Sequence, residues 1–511
     1  MSLSVVFTRA NQGVDAPLVT VETHLSNGIP SLSMVGLPET AVKESRERVR
    51  CAILNAGLEF PARRITINMA PADIPKSGGR YDLAIALSIL AASEQISSKR
   101  LQSTEILGEL ALAGDVRGVQ GVLPAVIAAR DVGRSMLIPA RNAAEAAVVR
   151  EAQCYAVQSL REACQHFADD SAGLPTVPSS LDGVMHDRPG VDPLAAIRGQ
   201  QHAKRALCIA AAGGHNMLMI GPPGTGKTLL ANALPGLLPM LDEAQALEAA
   251  AVRSVAGLPV TAALWAKTPF RAPHHGASSV AIVGGGRQLN PGEITLAHAG
   301  VLFLDELTEF KRHVLESMRE PLEAGTVTIS RADYRVTFPA NFQLICAMNP
   351  CPCGYFGDSK RQCSCTAERI GRYLEKISGP LLDRIDLHVE VARLDYEQLM
   401  GEAEELNSDA AAWTPQLIRQ CRERQIRRNG CLNARLSARQ LHDVCPLSPG
   451  CDALLKKVVE TMKLSARACH RIIKLARTIA DMQGCQDIRP EHIAEAASYR
   501  GLNLPGATPA P

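Results

Sequence analysis

The sequence predicts an α/β chain built around a parallel sheet covered by helices, with an α+β unit before it and a helical unit after it. Three observations predict this. Gly221-Pro222-Pro223-Gly224-Thr225-Gly226-Lys227-Thr228 is a complete G-x-x-x-x-G-K-[ST] phosphate loop, entered from the apolar run Met217-Leu218-Met219-Ile220 and left through the helical run 229–234. Two more buried-looking strands, 301–304 and 342–348, each end in residues that can work on a nucleotide. Strand and helix patterns alternate from 193 to 392, as a sheet wrapped on both faces requires, and from 394 onward the pattern is helical.

The elements follow in order. Residues 1–167 form a first unit in which 18–22, 31–35 and 64–68 read as strands, 39–54 and 81–92 as helices, and 135–139 as a late strand. A Pro/Ser/Asp-rich linker is expected over 168–192, the nucleotide domain over 193–392, a helical lid over 393–504 and a disordered Pro/Ala tail over 505–511. A chain of 511 residues exceeds what one core serves, and three domains suit that length.

Composition narrows the setting. A net charge of +2 gives no global polyelectrolyte signal, so any nucleic-acid surface has to be local. No charged-then-apolar leader and no apolar run of spanning length are present, and 15 cysteines suit thiols or metal ligands better than disulfides. The expectation is a soluble, cytoplasmic protein with no membrane role.

The phosphate loop carries the chemistry. Its backbone N–H groups and the following helix N-terminus converge on the phosphates of a nucleotide, Lys227 adds a point charge near the β/γ-phosphates, and the Thr228 hydroxyl can ligate Mg²⁺. Gly300-Val301-Leu302-Phe303-Leu304-Asp305-Glu306 is a buried strand ending in a carboxylate pair. Asp305 is placed to hold Mg²⁺ through water, and Glu306 to polarise the attacking water. The strand 342–348 ends in Asn349, which can orient that water, or can simply form a turn before Pro350. Arg384, in Leu381-Leu382-Asp383-Arg384-Ile385-Asp386, suits a finger reaching a neighbouring subunit's γ-phosphate or an internal pair with Asp383 or Asp386. Arg467, opening a helix, can reach back over the nucleotide or stand on the surface.

In this order the five elements resemble an AAA+ ATPase. Pro269-Phe270-Arg271-Ala272-Pro273-His274-His275, Val283-Gly284-Gly285-Gly286, Pro291-Gly292-Glu293-Ile294 and Ala297-His298 bring it closest to the magnesium-chelatase-like branch, in particular the ComM/YifB group of bacterial proteins, over nearly the whole chain. That resemblance implies that Asn349 is sensor 1, Arg384 the arginine finger and Arg467 sensor 2. It also implies a homo-hexameric ring, because the finger acts in trans. It further implies a DNA motor, a helicase or branch-migration enzyme in the recombination of incoming DNA during natural transformation. The alternative is a protein-remodelling or chelatase-type ATPase acting on a partner complex. Residues 71–87 and 108–129 resemble the Lon-protease fold, a ribosomal S5-like α+β domain. The family's serine position falls on Arg80 and its lysine position on Ala125. A Ser–Lys mechanism needs a hydroxyl and an amine in reach of each other, so a non-proteolytic scaffold is expected.

Two further features remain. Cys351, Cys353, Cys363 and Cys365 bracket a loop and can close a tetrahedral, structural Zn²⁺ site, or remain free thiols. Arg419, Arg422, Arg424, Arg427, Arg428, Arg435 and Arg439 face a lone acid, Glu423, and suit either phosphate contacts or a solvated helix face or subunit contact. Residues 284–291 read as a hairpin tip, where Arg287 and Gln288 are candidates to track single-stranded or branched DNA beside Arg427 and Arg428. With 4% aromatics, base stacking is a poor candidate for the main grip. His274 and His275 lack a third ligand at metal spacing, so a structural or signalling role is expected.

Overall fold

In Leu18–Ser26 every second residue is buried, with Val19, Val21, Thr23 and Leu25 facing inward, and this period-2 pattern builds a half-buried strand. The computed structural model describes residues 2–35, 40–74, 76, 78–168, 173–181, 193–286, 289–331, 334–358, 360–396 and 414–500. In the first unit a seven-stranded mixed sheet runs in the spatial order Ser31–Val35, Arg64–Ala70, Leu18–Ser26, Ser2–Arg9, Thr104–Ile106, Ser135–Pro139 and Cys154–Val157. Helix Asp82–Ala92 is apolar except for Asp82 and Ser88 and almost wholly buried against it, as that pattern demands. A buried ion pair joins two neighbouring strands, where Arg9 Nε and Nη2 donate to the two oxygens of Glu105 at 2.5 and 2.8 Å. Most of the expected linker, the tip residues Arg287 and Gln288, and the expected tail lie outside the described residues.

The second sheet is all parallel, with five strands in the order Phe270–Arg271, Val301–Leu304, Gln343–Met348, Met217–Ile220 and Leu387–Glu390. Three of its central strands are buried at every position, which explains their unbroken apolar runs. Parallel strands share their ends. Ile220 pairs with Met348 and Leu304 with Cys346, so the residues that follow each strand, Gly221, Asp305 and Asn349, emerge along one edge. Ligands bind α/β sheets at that carboxyl edge.

Two hairpins interrupt the alternation. Gly284 and Gly285 pair with Pro291 and Asn290, in agreement with the expected hairpin, while Thr326–Arg331 against Tyr334–Pro339 was not foreseen. The C-terminal helices Pro415–Asn429, Ala438–Val444, Pro449–Met462, Ala466–Met482 and Pro490–Ser498 share a core with the sheet, in which Ile418, Ile472, Leu475 and Ile493 meet Met217, Ile345 and Leu387. The first unit also packs on the second: the amide of Leu123 donates to Ser254 Oγ at 3.2 Å, and Val122, Leu123 and Val126 join Ala246, Ala249 and Trp265. Among the described residues, no helix is long and apolar enough to cross a membrane.

Candidate nucleotide site

The loop Gly221–Thr228 leaves its strand and enters helix Lys227–Leu237, whose first amides point back toward the loop. Gly221 has no alternative, since a Cβ there would stand 2.1 Å from the Val391 carbonyl of the next strand. At Gly224 and Gly226 nothing lies within 4 Å of where a Cβ would stand, which leaves the loop open for phosphates. Lys227 is buried, its Nζ donating to the Gly221 and Pro222 carbonyls at 2.7 and 2.9 Å and to Asn349 Oδ1 at 3.3 Å. Burial pushes its ammonium pKa down, and Asp305 partly opposes this. Thr228 Oγ1 donates to Asp305 Oδ2 at 2.8 Å, so the two expected Mg²⁺ ligands already share one spot. Gln200, not foreseen, bridges the Thr225 and Ala392 carbonyls with its amide and ties the loop to the segment leaving the last strand.

Glu306 sits at φ 53°, a left-handed conformation that costs a non-glycine residue energy and clusters at functional sites. Its carboxylate meets His275 Nδ1 at 3.0 Å, and the His275 ring lies tilted by 35° against His274 with ring centroids 4.1 Å apart. The histidine pair thus has a partner that its local sequence does not show, 31 residues further along the chain.

A phosphate-loop site of this build has relatives. The family model described as magnesium chelatase, subunit ChlI, matches residues 193–399, its C-terminal counterpart matches 409–500, and subunit ChlI of Mg-chelatase matches 21–142. Competence protein ComM of Haemophilus influenzae is 47% identical over 504 residues, 98% of both chains. An uncharacterized protein YifB of Salmonella typhimurium is 46% identical over 503 residues, again 98% of both. The chain belongs to the ComM/YifB group of magnesium-chelatase-like proteins. The magnesium-chelatase 38 kDa subunit of Rhodobacter capsulatus is 29% identical over 223 residues, 40% of this chain and 60% of its own. The parallel sheet, N-terminal α/β unit and helical C-terminal region match the AAA+ architecture of magnesium chelatases, which implies ATP and Mg²⁺ at this site.

The remaining candidates of this ComM/YifB-type chain fall into distinct surroundings. Arg384 is buried, with Nη2 on Glu323 at 2.6 Å and Nη1 on the Pro380 carbonyl at 2.6 Å; its partner is Glu323, not Asp383 or Asp386. Asp386 instead binds Arg471, accepts the Asn216 amide at 2.9 Å and lies 3.6 Å from His215 Nδ1. Burial disfavours its charge, but Arg471 and His215 outweigh that and hold its carboxyl below the usual range. Arg471 stands one turn beyond the exposed Arg467 on helix Ala466–Met482, so the segment bearing Arg384 is latched to the lid helix.

On the basic helix, Arg428, one of the expected DNA contacts, is engaged within the lid: its guanidinium grips Asp481 at 2.7 and 2.8 Å and Asn433 Oδ1 at 3.0 Å. Arg422 is likewise spent on the Ala211 carbonyl at 2.7 Å, whereas Arg427 stays exposed. Counting arginines in sequence could not show which ones the lid core had already claimed.

In the N-terminal unit, buried Arg80 points its guanidinium at the Gln120 and Gly121 carbonyls at 3.5 and 3.4 Å, beside helix Val122–Asp131, which carries the buried Ala125. Neither position offers a nucleophile or a base. Ser77, the serine nearest to Arg80 in sequence, lies outside the described residues. The four thiols of Cys351, Cys353, Cys363 and Cys365 lie within 4.8 Å of one another and form the one metal-compatible group of this kind among the described residues. Sγ separations of 3.3, 3.5 and 3.6 Å come close to the roughly 3.8 Å edge that Zn–S bonds of about 2.3 Å would set. Cys421, Cys445 and Cys451 are buried in the core shared by sheet and lid.

Proposed function

We propose that this protein is an ATP-driven hexameric ring that moves on single-stranded or branched DNA, unwinding it or driving branch migration as incoming DNA is recombined in natural transformation. The observation that carries the DNA half of the reading is the full-length similarity to a competence protein, 47% identical over 504 residues. The ATP half rests on the single edge where Lys227, Thr228, Asp305, Glu306 and Asn349 meet. Thr228 and Asp305 would hold Mg²⁺, which supplies charge neutralisation between phosphates. Lys227 turns its ammonium from the loop carbonyls onto the γ-phosphate, Glu306 takes the proton of the attacking water, and Asn349 aligns that water. Arg384 of one protomer leaves Glu323 to meet its neighbour's nucleotide, and Arg467 closes from the lid. Arg427 and the hairpin carrying Arg287 and Gln288 contact the DNA backbone, the Cys351–Cys365 loop holds structural zinc, and the N-terminal unit is a non-proteolytic scaffold. The protein works in the cytoplasm, where the DNA it acts on lies.

A second reading, a chelatase-type or protein-remodelling ATPase, is favoured by the descriptions of the matched family models and by the 223-residue similarity to a magnesium-chelatase subunit. ATP turnover with and without forked DNA separates them. Stimulation by DNA at low salt is expected; a verified hexamer whose turnover no DNA changes would leave the second reading in place.

A further inference from the structure

The cysteine loop does more than follow Asn349 in sequence. It lies against the phosphate loop. Gly354, inside the turn between Cys351 and Cys363, packs so closely on Pro223 that a Cβ there would stand 2.9 Å from Pro223 Cδ and 3.9 Å from Asn349 Cγ. The turn is fixed locally: the Gly354 amide donates to the Cys351 carbonyl at 2.9 Å, and Cys351 is fully buried. Its far side is tied down as well. Asp358 Oδ1 accepts the Lys360 and Arg361 amides at 2.7 and 3.1 Å, and Lys360 Nζ reaches Asp395 at 2.7 Å on the segment beyond the last strand. Thr366 then caps helix Ala367–Leu374, which leads toward Arg384.

We propose that the metal-bound cysteine loop is a buttress for the phosphate loop, so that filling the four-thiol site sets how tightly the protein binds nucleoside triphosphate. This rests on the zinc reading given above and adds a consequence to it. Without metal, four separate thiols impose no common centre on a loop of 15 residues, and ordering that loop costs conformational entropy on each nucleotide-binding event. With four bonds to one ion the loop is ordered in advance, Gly354 is held against Pro223, and the backbone amides that receive phosphate keep their spacing. Asn349, two residues before Cys351 and bonded to Lys227, is held by the same constraint.

The test uses the full chain purified without a histidine tag. Zinc per chain is measured by mass spectrometry, and the dissociation constant for a fluorescent ATP analogue by titration, each before chelation, after chelation and desalting, and after adding Zn²⁺ back. The expected result is close to one zinc per chain, nucleotide affinity falling on the order of tenfold on stripping, within the range usual for coupled sites, and recovery on add-back. Gly354→Ala keeps all four thiols while its Cβ meets Pro223 and a left-handed backbone at φ 86°; it should weaken nucleotide binding with the zinc content of the same sample unchanged. Cys363→Ser should lose both. Zinc present but affinity unaltered by stripping and by Gly354→Ala would overturn the buttress while leaving the zinc site intact. A chain with no zinc above background would overturn both, and neither outcome would touch the assignment of Lys227 and Glu306. Far-ultraviolet circular dichroism of every sample separates a local loss of affinity from unfolding.

Discussion

Among the described residues, two lysines are buried and held by backbone carbonyls, and one of them lies in the candidate nucleotide site. Lys227 donates to Gly221 and Pro222, Lys76 to Pro71 and Ile74. Burial pushes the pKa of both ammonium groups down, and one carboxylate opposes the shift in each case, Asp305 for Lys227 and Asp73 for Lys76. What separates them is the sheet beneath. Lys227 stands where three parallel strands end together and deliver Thr228, Asp305, Glu306 and Asn349 within reach. Lys76 follows a strand of a mixed sheet, where neighbouring chains run both ways and their ends do not collect on one edge. A depressed lysine pKa is therefore no mark of function by itself; converging strand ends are.

Lys227→Ala should lower ATP turnover on the order of a thousandfold, because it removes fixed charge from the place where phosphate charge develops. Lys76→Met should leave turnover unchanged and reduce stability by about 1 kcal/mol, since the Pro71 and Ile74 carbonyls lose their donor. Steady-state hydrolysis and urea midpoints on the two variants decide it. A Lys76→Met protein that folds normally but cannot hydrolyse ATP would erase the distinction.

A smaller loss sharpens the roles within the edge. Glu306→Gln should cut turnover about a hundredfold or more while ATP still binds, because it removes a base and keeps the shape. Equal losses in nucleotide affinity and turnover would point instead to a positioning role for Glu306, shared with His275.

The smallest effects test a second pair, two adjacent arginines with opposite surroundings. Arg427→Ala should weaken DNA binding uniformly across sequences and lower the salt slope by about one, with the melting temperature unchanged. Arg428→Ala should cost about 2 kcal/mol of stability through Asp481 and leave the salt slope alone. A salt slope that responds to Arg428→Ala would restore the DNA contact that its ion pair argues against.

Much of the candidate site's placement was legible because it is local in sequence. The phosphate loop needs its glycines, lysine and threonine at fixed spacing in one turn, and apolar runs that end in Asp305-Glu306 or Asn349 announce buried parallel strands. The mixed order of the first sheet was not legible, nor was the hairpin Thr326–Pro339, because strand pairing depends on partners distant in the chain.

By itself, then, the sequence determined the nucleotide chemistry and the unit that hosts it, since each motif is a short stretch whose backbone geometry its own residues dictate. Only the tertiary structure decided which charges remain free. His275 meets Glu306, Glu323 holds Arg384, Asp481 claims Arg428, and Gly354 rests on Pro223, four contacts spanning 31 to 131 residues of chain. Such pairings are set by how helices and loops pack on the sheet, and no local pattern of residues encodes them.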